Sequence, residues 1–225
     1  MKRIPEPELM DSPEQTRAYA AADFSEPNQI FCQAVGAALA NHPNAHGGRL
    51  LDLGCGSGGL LVDLALSLPA WEMVGIDAGP NMLKLADHAV IENELQHQVT
   101  LLEAHLPSDL DLLQTKGPFD AIVSNSLVHH LNDPMTIWES IAALAQGDTV
   151  VVVMDLIRPS NLDEANALVE AHTQGALPAL REDFYNSLLA AWRPDEIESQ
   201  LASMGWGHWS ITCPSNRHWL VSGRL

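Results

Sequence analysis

Residues 51–60 read LLDLGCGSGG, an apolar run that breaks into four glycines at Gly54, Gly56, Gly58 and Gly59. Leu60, Leu61, Leu64 and Leu68 follow at helical spacing across residues 57–68. A strand that enters a glycine loop and leaves it as a helix needs a sheet to belong to and helices to cover it. The surrounding sequence supplies both. Short apolar runs suited to strands buried on both faces recur at 49–54, 72–77, 99–104, 119–126 and 149–157. Helical stretches separate them at 80–92, opened by Pro80, and at 133–145, with Asn132 or Asp133 to cap and Pro134 just inside.

Two stretches near the end, HWSITC (208–213) and HWLVSGRL (218–225), read as strands joined too tightly for a helical crossover, so they should pair antiparallel. The expected architecture is α/β: a Rossmann-like doubly wound sheet of seven strands, mostly parallel with an antiparallel last strand, and helices on both faces. The 225 residues are expected to form one domain. Residues 1–48 form a leader, helical around 12–22 and 27–41. Residues 49–157 form the alternating strand-helix core and 158–193 an insertion after the fifth strand. Residues 194–225 hold a closing helix, opened by Pro194 and ended by Gly205, and the two final strands. Within the insertion, Pro178 begins a helix on which Leu180, Phe184, Leu188 and Trp192 recur every four residues.

Charge narrows the partners. Against 11 basic residues stand 29 acidic ones, a formal net charge of −18, which repels phosphate backbones and anionic lipid. Nucleic acid and membrane surfaces are therefore not expected. The N-terminal stretch lacks the apolar core of a secretory signal, and no run of about 18 apolar residues occurs. Cys32, Cys55 and Cys213 are odd in number and widely spaced, which fits a reduced cytoplasmic interior better than a disulfide framework. No tight set of metal ligands is visible along the chain, so no metal is expected.

Glycines let a ligand approach the backbone, and the helix start offers free N–H groups. The next strand ends in Asp77, placed to accept both hydroxyls of a ribose. A nucleoside-containing cofactor follows. Gly54, Gly56 and Gly59 satisfy a dinucleotide-type pattern, but Asp52 would lie unfavourably beside a pyrophosphate. It suits a cationic end instead. S-adenosylmethionine (SAM), with an ammonium, a sulfonium and a ribose diol, matches acids at 52 and 77. Asp52 could alternatively accept N–H groups of its own loop.

LLDLGCGSGGL, MVGIDAGPNML, FDAIVSNSLVHHL and RPDEIESQLASMGW resemble, in order and spacing, the class I SAM-dependent methyltransferases, closest to the small-molecule branch with the ubiquinone-pathway and trans-aconitate enzymes. The resemblance is strong over 48–157 and loose over 194–225. It implies that Asp52 with Gly54, Cys55, Gly56, Ser57 and Gly58 holds the methionyl part of SAM. Asp77 would hold the ribose, with Ala78 and Met82 beside it. Glu103 and the Ala104 backbone would flank the adenine, although the family more often has aspartate at Glu103. Asn125 and Ser126 would border the methyl group, and Tyr19 would cover the cofactor.

Methyl transfer from a sulfonium needs alignment first, and a base only where the nucleophile arrives protonated. His129, which matches the family's more frequent histidine, is the expected catalytic residue after the fourth strand; His130 is the next candidate. Tyr185 is expected to lean over the acceptor, with Arg158, His172 and Arg181 as further polar candidates. The strand-four end, SNSL, differs from the Asn-Pro-Pro-Tyr type of nucleic-acid amino methyltransferases, so with the acidic charge the expected partner is a small-molecule methyl acceptor, ahead of a protein side chain. A SAM-binding protein without turnover and an NAD-dependent oxidoreductase are the alternatives.

Overall fold

The computed structural model describes residues 1–6, 10–40 and 42–225. Its single sheet has the strand order β3-β2-β1-β4-β5-β7-β6. The strands are β1 Arg49–Leu53, β2 Glu72–Asp77, β3 Val99–Glu103, β4 Phe119–Asn125, β5 Ala145–Leu156, β6 Ser210–Thr212 and β7 His218–Arg224. β1 to β5 are parallel, whereas β7 runs antiparallel between β5 and β6. The helices are α1 Pro13–Ala20, α2 Ser25–Leu39, α3 Gly59–Ser67, α4 Pro80–Glu92, α5 Leu110–Gln114, α6 Met135–Leu144, α7 Leu162–His172, α8 Pro178–Ala190 and α9 Pro194–Ser203.

Side chains of a strand alternate between faces, and this alternation builds two cores from one sheet. Leu51, Leu53, Ile122, Val151 and Val153 face α6 and α9, meeting Ile137, Trp138, Ile141, Ile197 and Leu201. Leu50, Met73, Val123 and Val152 face the other way, against Phe31 and Val35 of α2 and Leu61 and Leu64 of α3. Asp52 has the parity of Leu50, so its carboxylate points toward α2 and α3 and is 1 % exposed.

Differences from the sequence reading have local causes. β1 stops at Leu53 because Gly54 turns to φ +78°, and α3 starts only at Gly59 because Gly58 caps it at φ +80°. β5 begins four residues earlier than expected, where Ala145 pairs with Phe119 across a register shift near Gly147. The short α5 and the whole of α7 carry too little periodicity to be read; α7 starts because Asn161 accepts the Glu164 N–H. In the leader, Ser12 and Gln15 form a capping box on α1. The last residue of the expected 27–41 helix lies outside the described residues.

Gly58 serves packing. A Cβ there would stand 2.8 Å from the Ala86 backbone of α4, and its φ of +80° already disfavours any other residue. Gly58→Ala should lower stability by about 2–4 kcal/mol, through backbone strain plus the forced separation of α3 from α4. Thermal unfolding of the ligand-free protein measures it, and an unchanged melting temperature would contradict this close approach.

Candidate active site

All parallel strands present their carboxyl ends to one side, and a cavity of about 770 Å³ opens there. Its floor is the glycine loop. Gly54 and Cys55 donate their N–H groups to Ile76 O at 2.9 and 2.8 Å, which folds the loop back over β2. Gly56, at φ +53°, has nothing within 4 Å of the position a Cβ would occupy, so its backbone lies open to a ligand. Asp77 braces the loop: its carboxylate accepts Gly56 N–H at 2.8 Å and Gly79 N–H at 2.7 Å. Burial holds Asp77 above the ordinary carboxylate range despite these bonds.

Asp52 behaves differently. Neither of its oxygens has a hydrogen-bond partner among the described residues. The loop N–H groups that could have satisfied it go to Ile76 O and to Asp77. Burial first, and then the nearby Asp77 charge, push its pKa up to about 7. An orphaned buried carboxylate beside an open backbone cradle fits a ligand with a cationic end. Asn125 Oδ1 is likewise buried without a partner. Ser126, the next residue, sits at φ +58°, a strained position that turns the chain out of β4 and into the cavity wall.

Asp52, Gly54, Cys55, Gly56, Ser57, Asp77, Ala78, Met82, Ala104, Asn125, Ser126 and Tyr19 all line this one cavity. Tyr19 packs on Phe24 with ring centroids 4.4 Å apart, and burial followed by the Asp77 and Asp52 charges raises its pKa to about 12. The leader reaches the cavity because Asp11 caps α4 from outside, accepting N–H groups of Asn81 and Met82 at 2.8 and 3.1 Å.

Five candidate residues are not brought there: Gly58, Glu103, Tyr185, Arg158 and Arg181. Gly58 packs on α4, as described. Glu103 is exposed at the end of β3 and does not line the cavity; His105 and Leu106 do. Tyr185 packs beside Leu168, Val169 and Leu188 in a small core between α7 and α8, and Asp183, Phe184 and Ser187 of the same helix face the cavity instead. Ala104 lines the cavity, but its N–H is donated to Asp77 O at 3.1 Å and is not available to a base. Arg158 is held by Glu196 and Ala191 O, and Arg181 by Glu170 and Thr173 O; neither lines the cavity. His172 does line it, 3.2 Å from Arg217 Nη1, and Arg217 Nη2 reaches Glu26 at 2.9 Å.

His129, 3 % exposed, lines the same cavity. Its Nδ1 donates to Asp155 Oδ1 at 2.5 Å, and its backbone N–H to Asp155 Oδ2 at 3.0 Å. Burial lowers the His129 pKa but Asp155 outweighs it, so the imidazole is held above its ordinary value while Asp155 is held below the usual carboxylate range. Glu6 Oε1 stands 3.5 Å from His129 Nε2 and 3.3 Å from His130 Nδ1. Contrary to the expectation from sequence, the fold therefore does assemble a compact set of ligating side chains. Glu6 has no local signal in the sequence. Asp155 had one: like Asp52, it is a carboxylate inside an apolar strand run, VVVVMDL.

Fold and site together define a Rossmann-like α/β protein with acids at the ends of its first two strands and a histidine after the fourth. Residues 51–151 match the family described as Methyltransferase domain. A ribosomal RNA small subunit methyltransferase C of Shewanella denitrificans is 39 % identical over 82 residues, covering 36 % of this chain and 22 % of the relative. A ubiquinone biosynthesis O-methyltransferase of Xanthomonas campestris is 33 % identical over 99 residues, covering 44 % of this chain and 38 % of the relative. The chain thus covers less than two fifths of the length of either relative. Among solved structures, a plantazolicin methyltransferase in complex with SAH superposes with a TM-score of 0.70 at 14 % identity, over 95 % of this chain and 91 % of that one. A SAM-dependent methyltransferase from Aquifex aeolicus gives 0.62 at 15 % identity, over 95 % and 98 %. Over residues 51–151 the chain is thus similar to methyltransferase domains, and its fold is that of SAM-dependent methyltransferases.

Proposed function

We propose that the protein moves the methyl group of SAM onto a small-molecule acceptor bound in the His129 half of the cavity. One observation carries this reading: a single cavity joins an orphaned buried carboxylate, Asp52, to an imidazole oriented by Asp155. At about 770 Å³ it lies within the range of cavities that hold ligands of this size. The bound cofactor supplies an activated methyl, so the chain provides alignment and exclusion of water.

Asp52 accepts the ammonium of the cofactor and Asp77 its ribose hydroxyls. Tyr19 and the leader close over it, and Asn125 and Ser126 shape the passage toward the acceptor. His129 donates Nδ1–H to Asp155, which leaves Nε2 to accept a proton from a protonated nucleophile. The α7–α8 turn, with His172 and Thr173, and the α8 face with Phe184 and Ser187 wall the acceptor side. The net charge of −18 supports a small acceptor over a nucleic acid. The three cysteines form no disulfide, and no helix among the described residues is long and apolar enough to cross a membrane; both agree with a cytoplasmic site of action.

Calorimetry tests the cofactor: SAM and SAH should bind and NADH should not. Micromolar NADH binding without SAH binding would replace this reading with an oxidoreductase. Incubation with methyl-labelled SAM and a metabolite extract then tests turnover. Absence of any labelled product, with SAH still bound, would make the protein a SAM-binding protein without turnover.

A further inference from the structure

We propose that Glu6, His129 and His130 form a binding site for a divalent first-row transition-metal ion at the acceptor end of the cavity. One ligand atom from each lies within 4.8 Å of the others. Glu6 Oε1 is 3.5 Å from His129 Nε2 and 3.3 Å from His130 Nδ1. Both separations exceed the common N–H···O range of about 2.7–3.2 Å. Two ligands held at about 2.0–2.2 Å from one tetrahedral ion stand about 3.3–3.6 Å apart. The carboxylate thus already stands at coordination-edge distance from both imidazoles.

The surroundings are those of a ligand set. Asp155 accepts the Nδ1–H of His129, which fixes the tautomer and directs the Nε2 lone pair at the site. Ser187 Oγ donates to Glu6, 3.1 Å from one carboxylate oxygen and 3.4 Å from the other, and orients it. Arg3 donates to His129 O at 2.9 Å and Leu131 O at 3.0 Å, which holds the histidine loop still. Glu6 and Asp155 bring two negative charges near the site against the one positive charge of Arg3, so a dication is not repelled.

Two imidazoles and one carboxylate are a donor set for zinc, iron(II), cobalt or manganese; calcium and magnesium ask for oxygen throughout. Three protein ligands leave a coordination position open, as in catalytic rather than structural sites. Both histidines line the cavity, so that position faces the acceptor. The ligand it takes is an oxygen or nitrogen donor of the acceptor, a group such as a phenol or a hydroxy acid. In the ion-loaded protein His129 Nε2 is a ligand, and lowering the proton affinity of the acceptor falls to the ion. The site rests on three side chains, none of them among those assigned to the cofactor, so it does not depend on the cofactor reading.

Cobalt(II) titrated into the chelator-stripped full chain, free of any affinity tag, should give a saturable visible absorption band that zinc displaces. Zinc should also raise the melting temperature. Glu6→Gln and His130→Ala should each weaken cobalt binding at least tenfold while SAH affinity stays within twofold. If His130→Ala unfolds, His130→Asn removes the imidazole with a polar replacement. No band and no zinc-induced stabilisation in the unmodified chain would overturn the site. So would a band of equal affinity in both variants, which would put the ion elsewhere. SAH binding is read separately, so failure of the ion site leaves the cofactor assignment standing, and the reverse also holds.

Discussion

Asp52→Asn should raise the melting temperature of the ligand-free protein and, in the same molecule, weaken SAH binding by roughly 10- to 100-fold. The two effects share one cause. Without a ligand, Asp52 is a buried carboxylate with no hydrogen-bond partner among the described residues, and its pKa stands at about 7 against an ordinary 3.8. A folded-state pKa raised above the unfolded value means that the group favours folding at low pH. That contribution is fully present below about pH 4 and lost as the pH rises through about 7. Above that point the charge costs the fold on the order of 2–4 kcal/mol, which asparagine avoids; for a chain of this size that is several degrees in melting temperature.

Binding runs the other way. A cationic ammonium needs the ionised carboxylate, and a hydrogen bond to a charged group contributes about 1.5–3 kcal/mol. SAH affinity should therefore weaken by about tenfold between pH 8 and pH 6, with proton release detectable in buffers of different ionisation enthalpy. Asp52→Asn should flatten that dependence. A variant that loses both stability and affinity would show instead that Asp52 holds the fold together, and would remove it from the cofactor site.

The second large effect is expected at Asp155. This residue acts through His129, so it is a positioning residue. Asp155→Asn keeps the side-chain shape but no longer demands an Nδ1–H from the imidazole, and Nε2 is no longer held toward the cavity. With the labelled acceptor, kcat should fall by a factor on the order of 10²–10⁴, the scale of losing a positioned proton-transfer group, with KM and SAH affinity nearly unchanged. A purely structural role would instead lower the melting temperature and weaken SAH binding without selectively lowering kcat. Unchanged kcat in a folded variant would separate His129 from the reaction.

Much of this was legible along the chain because its causes are local. Alternating apolar runs fix which residues face which core. Glycines at 54, 56 and 58 fix where the strand ends and where the helix starts, since their positive φ values exclude most other residues. An acid inside each of the first two apolar strands had to lie at the cavity, because a parallel strand is buried everywhere except at its ends. Asp52 and Asp77 could be placed on those grounds, whereas Asn125 and Ser126 followed only from the family resemblance.

The rest depended on contacts between residues far apart in the chain. Glu6 meets His129 and Ser187 across 123 and 181 positions. Asp11 caps a helix 70 positions away, and nothing in its local sequence announces it. Helical periodicity could place α8 against the body, but one residue of rotation, about 100°, separates Phe184, which lines the cavity as well as touching the small core, from Tyr185, which packs on that core and does not line the cavity. Sequence alone determined the sheet, the glycine loop and the acids at its strand ends, since strand period and backbone freedom act within a few residues. Only the tertiary structure decided that loop N–H groups satisfy Asp77 and leave Asp52 bare, that Asp155 orients His129, and that Glu6 returns to two histidines, because chain folding alone brings those partners together.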